Sequence, residues 1–204
     1  MLLCDIGNTS YHFLDGERDF KESVTSFNPA TITQKVYYIS VNQNIPKKLQ
    51  NLENWIDLSL YVSKEKYYET MGIDRIMAVE AVDNGIIIDA GSAITVDVVK
   101  EGKFEGGFIY PGIKAMEKSY KDISPALDYS FNFELNLADM PKNSQDAISY
   151  GYLKTLQREV LSHDLSIILT GGDAKRLKKI FPKAKIKMDL IFTSMKELVK
   201  SSAV

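Results

Sequence analysis

Asp5-Ile6-Gly7-Asn8-Thr9 closes the short apolar run at residues 1–4, and its reading decides the fold. An acid at the end of a strand, then a glycine, then small polar residues, makes a turn whose backbone N–H groups can approach an anion closely. Asn8 and Thr9 add side-chain donors. Asp5 can hold a hydrated Mg²⁺ through one carboxylate oxygen, the mode that ion prefers. Alone, the turn reads equally well as a hairpin with a capping Asp. A second copy favours the phosphate reading over the hairpin turn. Ile86-Ile87-Ile88 leads into Asp89-Ala90-Gly91-Ser92-Ala93, and an apolar run at 94–99 follows, as residues 11–14 follow the first turn. Strand, Asp-x-Gly-polar, strand therefore occurs twice, with acid and glycine in the same relative places. Two such turns can grip a polyphosphate from both sides. The pattern is a duplicated supersecondary unit, not a stacked short repeat. It predicts two similar α/β lobes facing a cleft, with a boundary between Gly72 and Gly85.

Outward from these turns, residues 36–41 read as a strand and 63–71 as a helix. Gly72-Ile73-Asp74-Arg75 opens a second helix with apolar positions at Ile76, Met77, Val79 and Val82, ended by Gly85. Strands are expected at 86–88, 94–99, 104–110 and 166–169. Pro111 suits the first turn of a helix. Residues 122–143 are polar, aromatic and irregular, and read as a loop near the ligand. Residues 146–161 and 174–180 read as helices.

Composition excludes several classes. Apolar residues make up 45% and charged residues 25% of the 204-residue chain, as in ordinary globular proteins. The net charge of -2, with signs interspersed, lacks the basic excess of a nucleic-acid binder. Cys4 is the one cysteine, so no internal disulfide forms. His12 and His163 lie too far apart to suggest a structural zinc site. No apolar run is long enough to span a membrane, and Asp5 interrupts the only N-terminal run that resembles a signal peptide. These features together read as a cytoplasmic protein.

Three further segments carry candidate chemistry. Thr170-Gly171-Gly172-Asp173 joins a strand to a helix. Its glycines leave room for a base or ribose beside the backbone, but taken alone the segment is explained more simply as a tight turn with Asp173 as N-cap. Asp74 with Arg75 is either a helix cap or a general base beside an anion-binding fork. Gly106-Gly107-Phe108-Ile109-Tyr110-Pro111-Gly112 is either an edge strand or a place of close backbone approach, to a ligand or to the other lobe. The P-loop pattern G-x-x-x-x-G-K-[ST] is absent, as is the protein-kinase motif set.

Taken in order, Asp5 to Thr9, Gly72 to Arg75, Asp89 to Ala93, Gly106 to Gly112 and Thr170 to Asp173 resemble the motifs of type III pantothenate kinases, within the acetate kinase, sugar kinase, Hsp70 and actin superfamily. The chain is similar to the shorter members, trimmed in the first lobe. The resemblance implies two RNase H-like (actin-like ATPase) lobes with mixed sheets, 1–78 and 79–204, and an ATP cleft between them. It implies ATP-dependent phosphorylation of pantothenate to 4′-phosphopantothenate, the first step toward coenzyme A. Asp5, Ile6, Gly7, Asn8, Thr9, Ser10, Tyr11 and His12 would form the first phosphate loop, with Asp5 on Mg²⁺. Gly91, Ser92, Gly171 and Gly172 would contact ATP, Ser92 standing where the family usually has Thr. Asp89 would help bind a monovalent cation, K⁺ or NH₄⁺. Asp74 would be the catalytic base. Gly72, Ile73, Asp74, Arg75, Tyr68 and Ser144 would line the pantothenate site, with Tyr67 as the alternative to Tyr68. A homodimer is implied, with residues 129–133 a candidate contributor to its interface. Two other readings stay open: another small-molecule kinase or phosphatase of the superfamily, or a non-catalytic ATP-binding regulator.

Overall fold

The computed structural model describes residues 1–202. The described residues divide into two compact units, one of residues 1–81 with 189–202 and one of residues 82–188.

The first unit holds a five-stranded mixed sheet. Its strands are β1 (Leu2–Ile6), β2 (Ser10–Asp15), β3 (Arg18–Ser23), β4 (Val36–Ser40) and β5 (Trp55–Asp57), in the order β3-β2-β1-β4-β5. β1, β2 and β3 pair antiparallel, while β1, β4 and β5 pair parallel. Side chains alternate across a strand, so the pairs Asp5–His12 and Ile6–Tyr11 point to opposite faces. Cys4, Ile6, Tyr11 and Phe13 lie on one face and join Val36, Tyr38, Ile45, Leu49 and Trp55 in a closed core. Ile45 and Leu49 come from the short helix α1 (Ile45–Leu49). Two more helices belong to this unit, α2 (Ile73–Glu80) and the C-terminal α6 (Leu190–Ser201). They pack on each other, α2 also on β4 and α6 also on β1. The Ser194 hydroxyl, at 5% exposure, donates to the Met77 carbonyl at 2.7 Å.

The second unit repeats the plan. β6 (Gly85–Ala90), β7 (Ala93–Lys100), β8 (Lys103–Pro111), β9 (Ile167–Thr170) and β10 (Lys185–Ile186) lie in the order β10-β9-β6-β7-β8. Matched strand for strand, β6 to β10 take the places of β1 to β5, with the same parallel and antiparallel pairings. The equivalence extends past the strands. Val41 N–H bonds the Ile6 carbonyl at 3.1 Å, and Asp173 N–H bonds the Ala90 carbonyl at 2.9 Å. The predicted duplication of the Asp-x-Gly hairpin is thus part of a duplicated sheet. Helices α3 (Ile113–Ile123), α4 (Ser144–Ser162) and α5 (Ala174–Leu177) complete the unit. Ile86, Ile88, Ala90, Ile94 and Val96 meet Leu153, Leu156 and Val160 of α4 in its core. The Asn143 side chain accepts Asp146 N–H at 2.9 Å and caps α4.

Several expectations change. Residues 63–71 form successive turns instead of a helix, with Tyr67 N–H on the Lys64 carbonyl and Met71 N–H on the Tyr68 carbonyl. The segment has no apolar stripe at helical spacing to bury; Met71 is its one buried residue. Pro111 ends β8 rather than entering a helix, and Gly112 is the N-cap of α3. Gly85 starts a strand, and α2 stops at Glu80. Residues 122–143 are irregular but pinned. Phe131, Phe133 and Leu137 sit in the core, and Phe131 N–H bonds Glu117 while Asn132 N–H bonds Ser149. Of residues 129–133, Phe131 and Phe133 face their own unit, while Tyr129 is 40% exposed. The boundary expected after residue 78 gave all of 79–204 to the second lobe; α6 instead groups with the first unit.

Candidate active site

In the first unit the chain turns between β1 and β2 at residues 7–9, closed by Gly7 N–H on the Ser10 carbonyl at 3.0 Å. Asn8 and Thr9 are exposed at its tip, and Asp5 stands partly buried at the end of β1. Not all of residues 5–12 can face a ligand with their side chains. Ile6 and Tyr11 are fully buried, Tyr11 between Phe13, Phe27 and Trp55, so only their backbone remains available to a phosphate. His12 shares the face of Asp5, but its ring bonds Asp19 at 2.8 Å and packs edge-on against Phe192. Burial lowers its pKa, against the opposing pull of Asp19. Sequence reasoning missed Asn42. Its amide reaches the Asn8 carbonyl at 3.5 Å, and it follows β4 as the Gly171-Gly172 turn follows β9. The signal was a polar cluster, Ser40-Val41-Asn42, after a strand.

Beside this turn lies the start of α2. Gly72 is its N-cap with φ −62° and ψ 142°, a conformation open to any residue. What glycine provides there is room for a side chain folded back on it. A Cβ there would stand 2.5 Å from Asp74 Oδ1 and 3.7 Å from Val41. The Asp74 carboxylate folds back over Gly72, where Oδ1 accepts Arg75 N–H at 2.8 Å. Burial raises its pKa, and hydrogen bonding with the Arg75 charge only partly offsets the rise. Arg75 is 5% exposed, donates to the Tyr68 hydroxyl and lies 5.7 Å from the Tyr68 ring centroid. Tyr67 turns the other way. Its hydroxyl donates to Glu80 at 2.6 Å, at the far end of α2.

The second unit builds its turn by backbone approach. Gly91 N–H bonds the Ala93 carbonyl at 2.9 Å, and Gly91 and Ser92 are exposed. Gly171 has φ +83°, and a Cβ on it would fall 2.3 Å from Asp89 Oδ1 and 2.6 Å from the Ala90 carbonyl oxygen. The Asp89 carboxylate therefore lies against the Gly171-Gly172 turn, and Gly172 has open space beside it. Ser144 is exposed in the first turn of α4. The cavity of about 750 Å³ between β8 and α4, lined by Phe108, Tyr110, Lys154 and Arg158, contains none of these residues. Among the described residues, no three His, Cys, Asp or Glu side chains cluster as a metal site. A divalent cation here would take most of its ligands from phosphate and water, which suits Mg²⁺ and a lone carboxylate.

Two mixed sheets of identical strand order, each carrying an acid–glycine turn, define an actin-like ATPase or sugar kinase fold. A Sinorhizobium meliloti protein solved as a candidate 2-dehydro-3-deoxygalactonokinase shares that fold, with a TM-score of 0.56 at 9% identity over 98% of both chains. A family model described as type III pantothenate kinase matches residues 48–162. A type III pantothenate kinase of Sulfurimonas denitrificans is 56% identical over 99% of this chain and 98% of its own. A Campylobacter jejuni protein, solved as a Baf family transcriptional activator, superposes with a TM-score of 0.91 at 37% identity, covering 100% of this chain and 99% of that one. The chain belongs to the type III pantothenate kinases. It is a kinase that phosphorylates pantothenate with ATP, accompanied by a divalent metal, on the route to coenzyme A. No helix among the described residues is long and apolar enough to cross a membrane.

Proposed function

We propose that Asp74 is the general base of this reaction, accepting the proton of the pantothenate primary hydroxyl as the γ-phosphoryl group transfers in line. The observation that carries this reading is the carboxylate held over Gly72 by Arg75 N–H and raised in pKa by burial. A carboxylate whose pKa moves toward neutrality is a better proton acceptor than an exposed one, provided it stays ionised at working pH. Tyr68, bonded to Arg75 at the start of α2, is better placed to meet the same substrate than Tyr67, which is tied to Glu80. Arg75 would face the pantothenate carboxylate and Ser144 would contact the same substrate. The turn at residues 7–9, Gly91, Ser92 and the Gly171-Gly172 turn would hold ATP. Backbone N–H groups there need no reorganisation as charge spreads over the transferring group.

Asp5 would hold Mg²⁺, which screens the phosphate charge when bound. Asp89, whose carboxylate converges with the Ala90 carbonyl on Gly171, offers hard oxygens to K⁺ or NH₄⁺. The enzyme would act as a homodimer in the cytoplasm. A coupled ADP-release assay with pantothenate as acceptor tests the roles. Asp74→Asn should lower kcat about 10²–10⁴-fold while nucleotide binding persists. Near-normal kcat would reduce Asp74 to a helix-terminal acid.

A further inference from the structure

We propose that Gly112 is a positioning residue for the ATP-side turn, seating Gly91-Ser92 by direct backbone contact. The inference rests on the reading of Ser92 as an ATP contact and adds a residue outside that set. Gly112 has φ −62° and ψ 159°, so its conformation does not require glycine. Contact does. A Cβ there would fall 2.2 Å from the Ser92 carbonyl oxygen, 2.6 Å from the Ser92 carbonyl carbon and 2.7 Å from the Gly91 carbonyl oxygen. These are backbone atoms, so no side-chain rotation relieves the overlap. The close approach suggested by the Gly106 to Gly112 segment is therefore made to a turn of the same unit.

One side of the contact must yield on substitution, and the structure indicates which. The start of α3 is anchored. The Tyr152 hydroxyl donates to the Pro111 carbonyl, Tyr152 is 2% exposed, and Ile113 is fully buried in the core. Gly91 and Ser92 are exposed, in a short turn closed by Gly91 N–H on the Ala93 carbonyl. The turn is the softer partner. Restoring ordinary contact, 3.4 Å or more, pushes its carbonyl outward by about 1 Å. Misplacement on that scale in a binding turn costs roughly 10²-fold in rate. The effect is expected on ATP, because the contact is made to Gly91-Ser92; of the pantothenate-side candidates, Asp74, Arg75 and Tyr68 lie in the other unit, and Ser144, at the start of α4, shares this one.

The test uses the full-length enzyme, with KM for ATP and for pantothenate, kcat and thermal unfolding measured on four variants. Gly112→Ala should raise KM for ATP by about tenfold or lower kcat by about 10²-fold, and leave KM for pantothenate within about twofold. Tyr152→Phe loosens the anchored side and should raise KM for ATP by a smaller factor, about two- to fivefold. Gly151→Ala is the control. A Cβ there meets only Tyr120 Oη at 3.9 Å, so its kinetics should match the parent. Ser92→Ala reports on the underlying reading. If Ser92→Ala weakens ATP use while a folded Gly112→Ala leaves both ATP parameters within twofold, the seating role is wrong and the ATP contact stands. If Gly112→Ala does not fold, unchanged ATP kinetics in Tyr152→Phe overturn the role instead. If Ser92→Ala and Gly112→Ala both leave ATP use unaltered, the ATP-side reading and the seating role fall together.

Discussion

Gly72→Ala is the smallest change that tests whether the Asp74 carboxylate works where the fold puts it. The new methyl would stand 2.5 Å from Oδ1, and ordinary contact begins near 3.4 Å, so the carboxylate must retreat by about 0.9 Å. The clashing atom is the far end of a side chain, so Asp74 can swing aside at about 0.5–1.5 kcal/mol for a strained rotamer. The backbone is already at φ −62°, and alanine at an N-cap costs about 1 kcal/mol or less relative to glycine. The protein should therefore fold, with a melting temperature only a few degrees lower. Catalysis should suffer more. A base moved by nearly 1 Å and pulled from Arg75 N–H should lose roughly 10²-fold in kcat. A double-mutant cycle sharpens the test. If Gly72 acts through Asp74, Gly72→Ala placed on Asp74→Asn should lower kcat no further. Steady-state ADP release on the four proteins measures this. Fully additive losses, or a normal kcat in Gly72→Ala, would refute the reasoning.

Other outcomes follow from the same geometry. Because burial raises the Asp74 pKa, kcat should fall as pH drops through a value above that of an ordinary exposed carboxylate, and a pH–rate profile locates that limb. A folded-state pKa above the unfolded one favours folding below the unfolded pKa, and that contribution is lost as pH rises through the folded pKa. At neutral pH the ionised Asp74 is thus a burden, and Asp74→Asn should match or exceed the parent in thermal stability; a clear loss would point to a helix cap. Tyr68→Phe should raise KM for pantothenate by several-fold, whereas Tyr67→Phe, which removes the bond to Glu80 at the far end of α2, should not. Activity should rise with K⁺ and not with Na⁺, and Asp89→Ala should abolish that dependence; equal rates in both salts would remove Asp89 from cation binding.

The sequence was most legible where one local rule sufficed. The Asp-x-Gly repeat exposed the duplicated hairpins because each strand and turn is complete within about ten residues. What it could not show was the partner strand. That β4 and β9 lie parallel to β1 and β6 depends on pairings far along the chain, so Asn42 went unnoticed beside Asn8. The alternation that makes Asp5 and His12 share a face also sends Tyr11 into the core, and listing residues 5–12 as one loop ignored it. Residues 63–71 read as a helix because single residues there tolerate one; no apolar stripe supports it. At Gly72 and Gly112 the glycine was visible but its reason was not, since neither has positive φ and both answer to an atom that only the folded chain brings near.

The grouping of α6 with residues 1–81 makes the first unit discontinuous, and this sets an order of assembly on the ribosome. Residues 82–188 emerge as one continuous stretch and can close their core as soon as they are made. The first unit cannot. For the time needed to synthesise roughly a hundred further residues, about 5–20 s, the face of α2 destined for α6 has no covering helix of its own unit. The part of the enzyme that carries Asp74 is begun first and finished last. A nascent chain stalled or cleaved after residue 188 would retain all of the second unit and display an unfinished first one, apolar side outward, to chaperones and proteases.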